Sequence, residues 1–261
     1  MKQDLLKIEK LLVQYINIIA KEYSNSCAKN VIKKISDGEK IVEFNTTQAI
    51  SFFVRDGVLL LPQYAYSIFF AFKELENYGA KPNNHRNISD YLDTNTTYYE
   101  YINHLIESGM SVYDYFMESL LHEAMHICGS CGGTPLEEGI NELKTRELAQ
   151  KYNITIAAYG YTKEVEVAKR LQNIVGKEIM DVLTFVPYYR RKDFLSMKIS
   201  TEVAELYELL STKMIEKSKE FYDRIGQIND PFEKAKLYEE IDYSEIYLLL
   251  EKYSTEKCIH K

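Results

Sequence analysis

The sequence predicts an α+β fold that is mostly helical, with a small N-terminal sheet containing a β-hairpin, two consecutive helices rich in histidine and glutamate, and a C-terminal helical bundle. Three observations predict it. Apolar residues recur at three- and four-residue spacing over most of the chain, short strand-like runs occur only between about residues 41 and 61, and helix start signals punctuate the second half.

Taken in order, Asp4 to about Tyr23 places Leu5, Ile8, Leu11, Leu12, Tyr15, Ile16 and Ile19 on one face, the pattern of an amphipathic helix packed on a core. A second helix, around Ala28 to Ile35, ends before Asp37-Gly38. Ile41 to Phe44 and Ile50 to Val54 read as strands, and Arg55-Asp56-Gly57 turns the second of these into Val58 to Leu61 as a hairpin. Tyr64 to Tyr78 returns to helix and stops at Gly79, residues 82–87 form a loop, and Tyr98 to Ser108 is helical up to Gly109. A helix from about Val112 to Gly129 follows, then a second one that starts at Thr134 and runs to about Tyr152. Beyond Thr162 three long helices are expected, Lys163 to Phe185, Thr201 to Ile225 and Pro231 to Tyr253. Pro187 separates the first two, and Asp230-Pro231-Phe232-Glu233 supplies an N-cap, a first-turn proline and a capping-box carboxylate for the third. Residues 1–110 would form a helical and β-hairpin lobe and residues 111–261 the helix pair and bundle. With no repeat, low-complexity tract or flexible linker between them, the two lobes are expected to be one cooperative unit.

Composition narrows the function. At 261 residues with 46% hydrophobic side chains the chain can bury a sizeable core. A net charge of −7 without a basic stripe disfavours a nucleic-acid partner, and the single basic run, Arg190-Arg191-Lys192, reads as a solvated turn. No apolar run approaches a membrane span, so no membrane partner is expected. The start of the chain lacks a secretory pattern, and together with four cysteines this points to reduced thiols in the cytoplasm.

The residues that carry chemistry are His122-Glu123-Ala124-Met125-His126. Two imidazoles four apart on a helix stack on one face, about 6 Å apart, as two corners of a tetrahedral zinc site require. Glu123 lies about 100° around the same helix, placed to take a proton from a water. With only five histidines in the chain, composition alone would produce such a pentad about once in a hundred such sequences. Its neighbours Leu120, Leu121, Ala124, Met125 and Ile127 are uncharged, so the helix is expected to be buried on most sides.

A catalytic zinc site needs a third protein ligand. Thr134 as N-cap, Pro135 in the first turn and Glu137 as capping-box partner start a second helix on which Glu138 and Glu142 lie one turn apart. Both are candidates. If the third ligand were instead a histidine at the HExxHxxGxxH spacing of metzincins, it would fall at position 132, which is Gly132 and has no side-chain donor. The CxxC that adjoins the pentad, Cys128-Gly129-Ser130-Cys131, follows a helix end rather than opening a helix, and no second CxxC could complete a structural zinc site.

The segment from Ser119 to about Leu148 resembles the zincin metallopeptidases of the gluzincin type, in which HExxH is followed by a helical glutamate ligand. Glu138-Gly139-Ile140-Asn141-Glu142 is similar to the E-G-x-x-E segment of aminopeptidase-like gluzincins, which would make Glu138 the ligand. Ile140-Asn141-Glu142 is also similar to the I-N-E of thermolysin-like enzymes, which would make it Glu142. The first alignment is favoured, with Gly139 letting the second helix approach the motif helix closely. Eleven residues separate His126 from Glu138, a direct connection.

The resemblance implies a zincin-like fold and a zinc-dependent hydrolase acting on a peptide or protein substrate. Zinc on His122, His126 and Glu138 lowers the pKa of a water, and Glu123 is the general base. It also implies an oxyanion donor after the ligand helix. Tyr161 is the candidate, with Tyr159 beside it in the same glycine-containing loop. The competing function is a catalytically inactive zincin-like binding or regulatory protein in which a metal only staples two helices. His85 and His104 read as surface or satisfied core histidines.

Overall fold

A computed structural model describes residues 2–24, 26–45, 53–55, 57–62, 111–129, 133–158, 160–225, 227–228 and 231–259. The expected helices Tyr64 to Tyr78 and Tyr98 to Ser108, the loop at 82–87, His85, His104, Tyr159 and Cys131 lie outside the described residues. The described chain is mostly helical with one small sheet, and it divides into two compact units.

The first unit comprises Met1–Cys128, Leu148–Ala158 and Asn229–Phe232. Its first helix, α1 (Lys2–Glu22), buries Ile8, Leu12, Tyr15, Ile16, Ile19 and Ala20, the face that the apolar spacing marks out. Helix α2 (Ser26–Ser36) ends at Asp37-Gly38 as expected. The sheet has strand order β1-β3-β2, formed by β1 (Val42–Asn45), β2 (Phe53–Arg55) and β3 (Val58–Pro62). Strands β2 and β3 form the predicted hairpin, with Arg55 opposite Val58 and Phe53 opposite Leu60. Strand β1 joins β3 in parallel, Val42 opposite Leu59, a pairing that no local signal announces. Helix α3 (Val112–Cys128) packs on α1, α2 and the sheet. Ser111 caps it by accepting the Asp114 N–H at 3.2 Å. Phe116, Met117, Leu120, Leu121, Ala124, Met125, Ile127 and Cys128 are all buried, so apolar neighbours surround α3 on most sides.

The second unit comprises Gly129–Glu147, Tyr159–Ile228 and Glu233–Lys261. It holds most of α4 (Pro135–Lys151), then α5 (Thr162–Val175), α6 (Lys177–Leu183), a 3-10 turn (Tyr188–Arg190), α7 (Arg191–Lys198), α8 (Thr201–Ile225), most of α9 (Pro231–Glu239), and α10 (Ser244–Ile259). Leu136 and Ile140 of α4, Val165 and Leu171 of α5, and Leu206 and Leu210 of α8 share one core with Ile246 and Leu250 of α10. Full burial of each such side chain stabilises by about 1.5–3 kcal/mol.

Two expected helices are each broken in two. Lys163 to Phe185 divides at Gly176, whose φ of 88° and ψ of 150° only glycine adopts readily. Pro231 to Tyr253 divides between Glu239 and Ser244, where the Lys163 ammonium donates to the carbonyls of Tyr238, Glu239 and Ile241 at 2.7–3.1 Å and so satisfies the end of α9. The basic run is not a solvated turn. Arg190 and Lys192 are exposed, but Arg191 starts α7 and is 2% exposed.

Candidate metal centre

His122 and His126 lie one turn apart on α3, and their Nε2 atoms are 2.9 Å from each other with ring planes crossing at 69°. Both imidazoles are buried, so the helix geometry directs two ring nitrogens at one point away from bulk water. Glu138, half-buried in the first turn of α4, completes the group: one ligand atom from each of His122, His126 and Glu138 lies within 4.8 Å of the others.

Two imidazole nitrogens and one carboxylate oxygen suit a divalent metal ion of borderline softness. Metal–ligand bonds of about 2.0–2.2 Å at tetrahedral angles place ligand atoms about 3.3–3.6 Å apart. The 2.9 Å between the imidazole nitrogens and the 4.8 Å limit for the whole group bracket that value. The residues fit a metal ion.

The start of α4 is fixed by the capping box the sequence predicts. Thr134 Oγ1 accepts the Glu137 N–H at 3.4 Å, and the Thr134 N–H donates to Glu137 Oε2 at 3.2 Å. Arg191 Nη1 stands 3.0 Å from the other oxygen, Glu137 Oε1, with both side chains 3% exposed. That approach lacks hydrogen-bond alignment, because Nη1 is directed at Tyr207 Oη, 3.1 Å away, and the pair is held by charge. Burial pushes the Glu137 carboxyl above the ordinary range, while Arg191 and the Thr134 donors pull it down.

Gly139 permits a close approach, but the neighbour differs from the expected one. A Cβ at this position would stand 2.4 Å from the Glu164 carbonyl oxygen and 2.8 Å from Glu164 Cβ, so the glycine seats α4 against the start of α5. Glu164 is itself wholly buried and accepts hydrogen bonds from Tyr238 Oη at 2.5 Å and Tyr243 Oη at 3.2 Å.

Glu142, the other candidate ligand, is buried and receives Arg146 Nε at 2.8 Å, and the same guanidinium donates to the Gly160 carbonyl at 2.5 Å. Glu142 thus ties α4 to the loop ahead of α5 and is not in the His122–His126–Glu138 group. Glu123 is 9% exposed and follows His122 on α3. Tyr161 is the N-cap of α5, in the left-handed region at φ 51°, with its side chain packed on the core of the second unit. Cys128 is buried at the end of α3.

Two neighbours of the group escape sequence reasoning. Arg191 sits in a run of three basic residues that resembles a surface patch. Tyr222 on α8 has a buried hydroxyl with no hydrogen-bond partner among the described residues. Burial and the nearby carboxylates of Glu164 and Glu138 push its pKa upward. One tyrosine among 22 carries no signal in the sequence.

No protein-family model, curated protein or solved structure matches the chain. Among the described residues, no helix is long and apolar enough to cross a membrane.

Proposed function

We propose that this chain is a zinc-dependent peptidase with a zincin-like, gluzincin-type site that hydrolyses peptide bonds. The observation that carries the reading is the convergence of His122, His126 and Glu138, with Glu123 next to the first histidine on the same helix. His122 and His126 would hold zinc through Nε2 and Glu138 through a carboxylate oxygen, a two-histidine, one-carboxylate set that leaves a coordination position open. When bound, zinc supplies Lewis acidity, which acidifies water and polarises a carbonyl.

The rest of the chemistry belongs to the chain. Glu123 takes the proton of the attacking water and returns it to the leaving amine, as a carboxylate in a largely desolvated position does well. Apolar Leu120, Leu121, Ala124 and Met125 exclude bulk water around the two imidazoles and strengthen electrostatic interactions there. Tyr161, tethered to the ligand helix through Gly160 and Arg146, is the candidate hydroxyl donor to the developing oxyanion.

The test is Glu123→Gln, assayed for metal content and for cleavage of a peptide library beside the wild type. The wild type is expected to carry about one zinc per chain and to cleave. The variant is expected to keep its zinc and lose about 10²–10⁴-fold in turnover. A zinc-loaded wild type that cleaves no peptide would leave a metal-stapled binding protein as the reading.

A further inference from the structure

We propose that Arg191 is the positioning residue for the Glu138 carboxylate, acting through the buried ion pair it makes with Glu137. The inference rests on the reading of Glu138 as a metal ligand and adds the device that holds that ligand in place.

The first turn of a helix frays readily, and Glu138 lies in it. A ligand on a fraying turn must be ordered when the metal binds, which weakens affinity. Here the residues on both sides of Glu138 are pinned. Behind it, Glu137 is fixed by Thr134 and by Arg191 at 3.0 Å. Ahead of it, Gly139 has no clearance from the backbone of Glu164. The Arg191 guanidinium is in turn a rigid anchor: it donates to the Val186 carbonyl at 3.0 Å, the Tyr207 hydroxyl at 3.1 Å and the Thr184 carbonyl at 3.4 Å.

Stability alone does not account for such a pair. A buried ion pair roughly breaks even against apolar side chains of the same volume, because desolvation offsets the attraction. What it adds is a single defined arrangement. An outer partner that orients a metal ligand contributes about 10- to 100-fold in metal affinity.

The experiment compares zinc affinity, by chelator competition, with the melting temperature of the metal-free protein. Arg191→Met alone leaves Glu137 buried without its cation, so the decisive variant is Glu137→Gln combined with Arg191→Met. It removes both charges and keeps a side chain able to close the capping box. This variant is expected to melt near the wild type yet bind zinc about 10- to 100-fold more weakly. Arg191→Lys, which keeps the charge and loses the fork, is expected to fall between them.

Lys144→Met, which removes an equally buried cation from α4, the helix that carries Glu138, is the control. It is expected to lower the melting temperature and leave the zinc affinity unchanged. Wild-type affinity in the folded double variant, or in Arg191→Lys if the double variant does not fold, overturns the role of Arg191 and leaves the metal reading standing. A wild-type protein that takes up no zinc overturns both.

Discussion

The Nε2 atoms of His122 and His126 stand 2.9 Å apart on adjacent turns of α3, close to the separation that two ligands of one metal ion keep. A metal ion held by both rings would part the nitrogens by about 0.4 Å, a shift within reach of a small ring rotation. Zinc is therefore expected to bind a nearly formed site and to stabilise the fold by linkage. At free zinc about a hundred times the Kd the gain is about 2.7 kcal/mol. For a chain of this length that raises the Tm by about 5–10 °C. Melting curves with zinc and with a chelator check it. Because protons compete for both nitrogens, acidification should shrink the difference.

Glu138→Ala and Glu142→Ala should behave oppositely. The first removes a ligand atom from the group and should weaken zinc binding by more than the roughly 10- to 100-fold of an outer partner, with little change in metal-free stability. The second strips Arg146 of its ion pair and loosens Gly160, so it should cost about 1–3 kcal/mol of stability while zinc occupancy persists. Isotope-dilution metal analysis and urea melts on the two proteins separate the roles.

The candidate site is legible in the sequence because its information is local. His122, Glu123 and His126 declare themselves by helical spacing, and the Thr134–Glu137 capping box places Glu138 in a first turn. Helices α1, α3, α4 and α8 were readable for the same reason, since periodicity and end signals agreed along each. What stayed hidden depends on distant partners. The break before α10 is made by Lys163, about 75 residues upstream, capping carbonyls that no proline or glycine interrupts. Arg191 is buried because Glu137 and Tyr207 surround it, and a three-residue basic run cannot reveal that. The parallel pairing of β1 with β3 is likewise non-local.

Glu164 should give the protein a pH-dependent stability of unusual sign. Burial raises its pKa, an effect only partly offset by the hydrogen bonds from Tyr238 and Tyr243. Between the unfolded and folded pKa values the native state binds the proton that the unfolded chain has released. Its contribution is thus fully present below the ordinary glutamate pKa and is lost as pH rises through the folded value. Glu164→Gln keeps the side chain neutral at every pH. It should flatten the decline and, near neutrality, match or exceed the wild type in stability. Tm measured from about pH 4 to pH 8 on both proteins tests this. A Gln variant with the same slope as wild type would assign the dependence to another group.

Gly139→Ala isolates the close approach from every charge in the region. On an isolated helix alanine would be favoured over glycine by about 1 kcal/mol. Here the added methyl meets the Glu164 carbonyl oxygen at 2.4 Å and its carbon at 2.5 Å, and these are backbone atoms that cannot swing aside. Relieving the overlap requires α4 and α5 to separate by about 1 Å, and overpacking of that kind costs about 1–3 kcal/mol, occasionally more. The net expectation is a loss near the middle of that range. Zinc affinity should fall with it, because the residue displaced is the immediate neighbour of Glu138. Gly133→Ala supplies the comparison: nothing lies within 4 Å of its Cβ position, and only its φ of +65° disfavours a side chain. That variant should lose about 1 kcal/mol. If the Gly139 variant were as stable as wild type, α4 would sit on Glu164 less tightly than the 2.4 Å clearance for an added Cβ implies.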